Sequence, residues 1–217
     1  MVRKIFEIPI VFLLRRLDLY SLLSLKRTGP LKEDGWFRSF REEACVDASG
    51  NPLPWMTYPA IDFLKKRIHE DMTIFEYGCG ESTLWWSSRV KEVISVEHDK
   101  DWYDKMIQRT PKNVDLVHIE LEYGGDYSRK ITEYREKFDI VMIDGRDRVN
   151  CVMNSLEALK PCGVIIFDNS DRKEYEKGYD FLFKHGFRKV EFVGFAPVVN
   201  IKSETGIFFR SNNSLGI

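Results

Sequence analysis

Apolar and polar positions alternate in a regular way from about residue 57 to the end of the chain. Short apolar runs rich in β-branched residues predict strands, and longer runs with apolar residues three or four positions apart predict helices. The predicted strands are 73–77, 93–96, 114–119, 138–143, 164–167, 190–199 and 205–210, and the helices are 57–69, 83–90, 101–110, a charged helix after Gly125, 148–160 and 175–185. This alternation predicts a doubly wound α/β fold with a mostly parallel sheet.

The segment 73–97 forms the centre of this pattern, as a strand, a glycine turn, a helix and a second strand that ends in Glu97. The chain turns through Gly78 and Gly80, where a missing Cβ lets the backbone approach a ligand closely. Ser82 or Thr83 is predicted to cap the helix that follows. The spacing predicts a nucleotide-type ligand at this turn.

The residues around the turn distinguish between two kinds of cofactor. A dinucleotide-binding turn has a third glycine three residues after Gly80, where this chain has Thr83. Glu76, just before the turn, is also misplaced for an anionic pyrophosphate. Its carboxylate suits a cationic ligand, which it would hold directly or through water.

Polar side chains end the predicted parallel strands. Since ligands bind at the carboxyl ends of such strands, these residues are the candidate site: Glu76, Glu97, Asp144, Asp168 and Asn169. Two carboxylates and an amide oxygen are ligands suited to Mg²⁺ or a similar divalent ion. Without a metal, Asp144 would contact cofactor or substrate, and Asp168 with Asn169 would cap the next segment.

The turn resembles the acid-x-Gly-x-Gly motif of class I S-adenosylmethionine-dependent methyltransferases, with Glu76, Gly78 and Gly80 in the matching places and Ser82 in place of the usual third glycine. The resemblance covers residues 57–210 and implies a Rossmann-like, mostly parallel seven-stranded sheet with an antiparallel C-terminal hairpin. It implies S-adenosylmethionine as cofactor, with Glu97 accepting both ribose hydroxyls.

The same resemblance assigns further cofactor contacts. Asp126 and Tyr127 follow the Gly124-Gly125 turn, where this family often contacts the adenine, although a solvated turn explains them equally well. Thr57 and Tyr58 begin the leading helix, which lies near the glycine turn in such folds. Trp55, Thr57 and Tyr58 are therefore candidates to line the ligand pocket, with core packing the favoured role for Trp55.

Asp144, Asp168 and Asn169 resemble the metal site of the catechol and caffeoyl-CoA O-methyltransferases, in which a divalent ion holds the substrate oxygens. The lysine base of those enzymes is not evident, and Gly145 to Arg148 reads GRDR instead. Asp147 is then the candidate base. Arg146 or Arg148 is the candidate group for binding an anionic substrate.

These features predict a methyltransferase acting on a small molecule, with a hydroxyl oxygen as the acceptor. The strings YGCGESTLWW, IDGRDR and FDNSDR also look like a small bacterial-type group of methyltransferases. Two alternatives stay open: a non-catalytic binding or scaffold protein on the same fold, and a nicotinamide-dependent oxidoreductase, which Thr83 and Glu76 disfavour.

Composition narrows the class and sets the N-terminal segment apart. The net charge of −1 gives no electrostatic case for nucleic acid, and four scattered cysteines predict free thiols in a reducing, cytoplasmic setting.

We predict an extension over residues 1–56 and a cofactor-binding domain over 57–217. Residues 1–30 are basic and amphipathic, but their apolar run at 10–14 is far below the roughly 20 residues of a membrane span. They are predicted to pack on the domain, on a second copy in a homodimer, on a partner or on a membrane surface.

Overall fold

A computed structural model describes residues 11–217, so the first third of the predicted amphipathic segment lies outside the described residues. Residues 11–16 are helical, and three short helices follow: α1 (Leu19–Arg27), α2 (Pro30–Glu33) and α3 (Trp36–Glu42). The Trp36 indole N–H donates to the carbonyl of Val199, and the Val198 N–H donates to the Ser39 hydroxyl. The later part of the predicted extension therefore packs on the loop after β6, the sixth strand. No helix in the described part of the chain is long and apolar enough to cross a membrane.

The remaining residues form a seven-stranded sheet with helices on both faces. The strands are β1 (Thr73–Tyr77), β2 (Glu92–Glu97), β3 (Val114–His118), β4 (Phe138–Ile143), β5 (Leu159–Asp168), β6 (Arg188–Gly194) and β7 (Ser203–Phe209). The helices are α4 (Tyr58–Lys65), α5 (Glu81–Ser87), α6 (Lys100–Met106), α7 (Asp126–Arg129), α8 (Arg148–Asn154) and α9 (Glu176–Lys184), with 3-10 turns at Lys130–Glu133 and Lys173–Tyr175.

The strand order is β3-β2-β1-β4-β5-β7-β6, and β1 to β5 are parallel. β7 lies between β5 and β6 and is antiparallel to both. The predicted fold, with its mostly parallel sheet and antiparallel C-terminal hairpin, is confirmed. The carboxyl ends of β1, β2, β4 and β5 meet at one edge, where the strand order reverses between β1 and β4.

Alternate residues of the central strands fill two separate cores, which explains why these strands read as continuous apolar runs. On β1, Phe75 and Tyr77 pack beneath α7, α8 and α9, whereas Ile74 packs against Trp85 and Trp86 of α5. All five of these side chains are fully buried. The sheet is thus held rigidly from both faces, and its carboxyl edge is a fixed platform for a site.

Several element boundaries differ from the prediction, and the cause is visible at α8 and β5. Helix α8 ends at Asn154, not at residue 160, because the Ser155 hydroxyl donates back to the Cys151 carbonyl and competes with helix continuation. β5 begins at Leu159 and includes the predicted turn around Pro161. The register between β4 and β5 shifts in this stretch, so the turn-forming residues make a bulge inside the strand.

Candidate functional site

A cleft of about 590 Å³ opens at the carboxyl edge of the sheet. Eight of the residues predicted for the site line it: Gly78, Ser82, Glu97, Asp144, Arg146, Arg148, Asp168 and Asn169. They come from the ends of β1, β2, β4 and β5 and from the segments around the starts of α5 and α8. The fold therefore brings together in one cavity side chains that are up to about 90 positions apart in the sequence.

Two glycine turns form the floor of the cleft. Gly78 has a φ of 89°, a conformation that other residues rarely adopt, and a Cβ there would lie 3.1 Å from the Cα of Gly145. A Cβ on Gly145 would clash with the Tyr127 hydroxyl and the Gly78 nitrogen. Gly80 differs, because its Cβ would meet no atom within 4 Å. Gly78 and Gly145 are thus needed for the contact between turns, while the space beside Gly80 is open to a ligand.

Glu97 joins the glycine turn to the start of α6. Its Oε1 accepts the N–H groups of His98 and Asp99, each at 2.8 Å, and its Oε2 accepts the Cys79 N–H at 3.0 Å. A carboxylate has about four acceptor positions, so Oε2 retains capacity for a ligand hydroxyl. Glu97 is the buried carboxylate on the cleft wall best placed for a ribose.

Glu76 does not line the cleft. It is 1% exposed, and its Oε2 accepts the Thr83 hydroxyl at 2.5 Å and lies 3.1 Å from the Ser95 hydroxyl. Thr83 in turn accepts the Gly80 N–H at 3.0 Å. The structure therefore places Glu76 and Thr83 outside the cleft, although both were predicted as cofactor contacts. The two residues brace the glycine turn from behind, because the even positions of β1 face α5.

Burial raises the pKa of Glu76 to about 7, although the Ser82, Thr83 and Ser95 hydroxyls oppose the shift. Because its usual value is 4.5, the folded state keeps a proton that the unfolded state loses as the pH rises. The free energy of unfolding therefore falls as the pH rises from 4.5 to about 7. At higher pH the buried carboxylate is ionised and destabilises the folded protein. Glu76→Gln cannot ionise.

We compare the free energy of unfolding of Glu76→Gln with that of wild type at about pH 5 and about pH 8. The advantage of the variant is expected to grow by about 2 kcal/mol from the lower pH to the higher. Urea unfolding of the ligand-free proteins at the two pH values measures this difference. Glu92→Gln, at the partly exposed start of β2, is the matched control. If the variant and the wild type differ in unfolding free energy by the same amount at both pH values, the raised pKa of Glu76 is contradicted.

Arg148 is buried and all five of its N–H groups have acceptors. Nε donates to the Gly145 carbonyl at 3.0 Å, and Nη2 donates to the carbonyl and the Oδ1 of Asp144 at 2.8 and 3.0 Å. Nη1 donates to the Asp168 carbonyl and, at 3.3 Å, to Asn169 Oδ1. No donor remains for an anionic substrate, so the predicted substrate-binding role of Arg148 is wrong. Its guanidinium ties the end of β4 to the end of β5.

Asp168 and Asp144 lie at these two strand ends. Burial, and then the Asp144 carboxylate, raise the pKa of Asp168, whose Oδ1 accepts the Thr205 hydroxyl at 2.7 Å. Burial also raises the pKa of Asp144, although Arg148 and Arg172 oppose the shift. Asp168 is therefore the cleft carboxylate that holds a proton most readily near neutral pH.

The predicted metal ligands do not form an open set of oxygen ligands. The Arg148 guanidinium bonds to Asp144 Oδ1 and to Asn169 Oδ1, where a divalent cation would need both atoms free. Among residues 11–217, no group of three His, Cys, Asp or Glu side chains is arranged to hold a metal ion. These residues do not fit a metal, and no step of the chemistry below uses one.

Three other predicted site residues are engaged elsewhere. The Asp147 carboxylate accepts the Gly124 N–H at 2.7 Å and the Asn150 side-chain amide at 2.8 Å, and it lines a neighbouring groove, so the structure does not bring this predicted base into the cleft. Tyr127 is fully buried and does not line the cleft. Asp126 is exposed on the short helix α7, also outside the cleft.

Thr57 and Tyr58 also lie outside the cleft, as buried residues at the start of α4. Thr57 does not cap this helix with its side chain, because its hydroxyl donates to the Phe192 carbonyl. Its N–H donates to Thr205 Oγ1, the hydroxyl that holds Asp168. Thr57 thus acts on the site only through Thr205.

Sequence reasoning missed several residues of the cleft wall. Trp102 lies at its rim, where the indole N–H donates to the Cys79 carbonyl at 2.8 Å. Its place in the first turn after Glu97 is the signal that could have found it. Trp55, for which core packing was the favoured role, is half exposed and lines the cleft. Arg172 lines it too, beside Arg146.

No protein-family model matches the chain, and no curated protein matches its sequence. Among solved structures, precorrin-6y C5,15-methyltransferase from Geobacter metallireducens GS-15 aligns with a TM-score of 0.55 at 16% identity, over 70% of this chain and 87% of that one. An rRNA methylase from Streptococcus thermophilus gives 0.54 at 14% identity, over 72% and 99% of the two chains. Precorrin 8w decarboxylase from Methanobacterium thermoautotrophicum gives 0.54 at 17%, over 77% and 97%.

These likenesses show the class of fold. The chain has the Rossmann-like fold of class I methyltransferases, as its glycine turn and strand order imply. The three similar proteins include two methylases and a decarboxylase by name, so the fold leaves the reaction open. The reaction must be argued from the site.

Proposed function

We propose that this protein is an S-adenosylmethionine-dependent methyltransferase that methylates a hydroxyl of a small anionic molecule. The observation that carries the proposal is the position of Glu97, a buried carboxylate on the cleft wall that accepts the Cys79 N–H of the glycine turn and has one oxygen still able to accept. A ribose diol and a cationic sulfonium suit this acid-rich cavity.

The residues present fit this cofactor. Glu97 would accept the ribose hydroxyls of the cofactor. The glycine turn at Gly78 would let the cofactor approach the backbone closely, and Trp55 and Trp102 would contact its apolar parts at the rim. When bound, the cofactor supplies an electrophilic methyl group on sulfur. The protein then has to position the acceptor oxygen in line with that group and remove its proton.

Asp168 is our candidate for the proton acceptor. The Asp144 carboxylate is neutralised by Arg148 at 3.0 Å, whereas Asp168 has no ion pair within residues 11–217. Its raised pKa matches it to a proton transfer near neutral pH. With the cofactor bound, the ionised Asp168 carboxylate would take the proton of the acceptor hydroxyl, and the cofactor would supply the methyl group to that oxygen and be left as a neutral thioether.

Arg146 and Arg172 are the candidate groups for acceptor binding. Both are exposed and line the cleft, and they also line a neighbouring groove of about 670 Å³. Arg148, by contrast, has no free donor. A carboxylate or phosphate on the acceptor would pair with these guanidinium groups. This charge favours an anionic acceptor over a neutral one.

Replacement of Asp168 by asparagine is expected to lower kcat about 100-fold while the affinity for S-adenosylhomocysteine changes little. The amide keeps the shape but cannot take the proton. Asn169→Ala, next in the chain, is the matched control for disturbance of the β5 end. Single-turnover methyl transfer measures the step, and an unchanged kcat in Asp168→Asn would rule this residue out as the base.

Removal of divalent metal is expected to change the methylation rate less than about twofold, since Arg148 bonds to Asp144 Oδ1 and Asn169 Oδ1, two of the oxygens that a metal ion would need. Activity measured before and after treatment with EDTA, with Mg²⁺ then added back, tests this. A large loss restored by Mg²⁺ would show that Arg148 moves aside for a metal.

The function is tested by transfer of labelled methyl from S-adenosylmethionine to paired hydroxyl compounds, such as protocatechuate with catechol and glucose 6-phosphate with glucose. We expect turnover on an anionic member, with a raised KM in Arg146→Ala and Arg172→Ala. Tight binding of S-adenosylhomocysteine without turnover on any extended panel would favour the scaffold alternative instead.

A further inference from the structure

The N-terminal helices present a cluster of exposed apolar side chains. Helix α1 has no buried residue at all. Five side chains of residues 11–27 are each more than half exposed, and we call them the N-terminal apolar surface: Phe12, Leu13, Leu17, Leu22 and Leu23. Single exposed leucines are ordinary, but a cluster on consecutive turns marks an interaction site.

This surface continues into a groove of about 630 Å³ with almost no polar lining. Leu22 and Leu23 form one wall, and Trp36, Phe37 and Phe195 form the other. The groove shares no lining residue with the cofactor cleft, and only Trp36 of its lining packs against one of the two cores. Its lining is therefore not explained by the chemistry proposed above.

Positive charge surrounds the apolar side chains. Residues 11–32 contain a single acid, Asp18, although the whole chain has a net charge of −1. The basic residues of this stretch are Arg15, Arg16, Lys26, Arg27 and Lys32. No acidic side chain of residues 11–217 forms an ion pair with any of these five. The charge is thus free for an external partner.

The combination of charge and apolar side chains distinguishes between a protein partner and a membrane surface. The core of a protein–protein interface is usually depleted of charged residues, lysine above all. A leucine-rich helix with lysine and arginine beside the apolar face is the pattern of segments that lie in the interface of anionic membranes. We infer that the N-terminal apolar surface binds a membrane surface that contains anionic lipid.

The cofactor cleft lies next to this surface. Phe195 lines the apolar groove, and Ala196, Val199 and Ile201 line the cleft. The loop 195–201 is held to α3 by the Trp36 indole, which donates to the Val199 carbonyl at 2.7 Å. The groove and the cleft therefore share one wall, and membrane binding brings the cleft rim close to the lipid surface. The membrane inference stands independently of the methyl-transfer reaction.

Vesicle flotation of the full-length protein tests the inference. The probes are vesicles of phosphatidylcholine alone and of an equal mixture of phosphatidylcholine and phosphatidylglycerol, at low and high sodium chloride. We expect binding to the mixed vesicles, weakened by salt. Lys26→Gln with Arg27→Gln should weaken it about 30-fold, since each charge contributes about fivefold near an anionic surface.

The control Lys112→Gln with Lys184→Gln removes the same charge at exposed positions elsewhere and should bind vesicles like wild type. Leu22→Ser with Leu23→Ser should weaken binding at least about tenfold while circular dichroism and S-adenosylhomocysteine binding stay unchanged. Equal binding to neutral and mixed vesicles, or none to either, would overturn the inference. A dimer in sedimentation velocity that Leu22→Ser with Leu23→Ser abolishes, without vesicle binding, would assign the surface to a second copy of the chain.

Discussion

Replacement of Glu97 by alanine is expected to weaken binding of S-adenosylhomocysteine about 1000-fold, or about 4 kcal/mol. Part of the loss is the charge-assisted bond between Oε2 and a ribose hydroxyl. The rest comes from the turn, because Glu97 also holds the N–H groups of Cys79, His98 and Asp99. Calorimetric titration of the two proteins measures the difference.

Two further variants make this result interpretable. Glu97→Gln keeps the side-chain length and one acceptor oxygen, so it should keep the bonds from the His98 and Asp99 N–H groups, lose the bond from the Cys79 N–H, and weaken binding less than Glu97→Ala. Glu92→Ala, at the other end of β2, should bind like wild type. Affinity of Glu97→Gln and Glu97→Ala within about threefold of wild type would remove Glu97 from the cofactor site.

Replacement of Arg148 by methionine is expected to lower the free energy of unfolding by about 3–5 kcal/mol. Methionine keeps much of the apolar stem but leaves Asp144 without its ion pair and the Gly145 and Asp168 carbonyls without donors. A domain of this size has only about 5–15 kcal/mol in total. Urea unfolding of the ligand-free protein measures the loss.

The cause of that loss can be separated from general damage. Asp144→Asn in the Arg148→Met background should recover part of the stability, because the unpaired buried carboxylate is then gone. Arg172→Met, at an exposed guanidinium of the same cleft, should change stability by no more than about 0.5 kcal/mol. A loss below about 1 kcal/mol in Arg148→Met would show that its five hydrogen bonds are not essential to the fold.

The sheet could be predicted from the sequence because its strands are buried on both faces. Residues 138–143 and 164–167 read as strands for this reason, and the acids that follow them were correctly expected at one edge. Glu97 could be placed because it is the last residue of β2. The ends of strands and the order of elements along the chain can be predicted directly from the pattern of apolar and polar residues in the sequence.

The orientation and partners of individual side chains were harder to predict. Glu76 shares its strand face with Ile74, which packs against α5, and this alternation already argued against a ligand contact. The five acceptors of Arg148 belong to the ends of two different strands, β4 and β5, and no local pattern brings them together. Asp147 is turned away by its positive φ of 50°, which the sequence GRDR does not reveal.

The most direct test of the cofactor site is parallel calorimetric titration of the wild-type protein with S-adenosylhomocysteine and with NAD⁺. The account predicts micromolar binding of S-adenosylhomocysteine and none of NAD⁺, because Thr83 stands where a pyrophosphate-binding turn has its third glycine. Binding of NAD⁺ alone would restore the oxidoreductase alternative. Binding of neither would contradict the central claim that this cleft is a methyl-donor site.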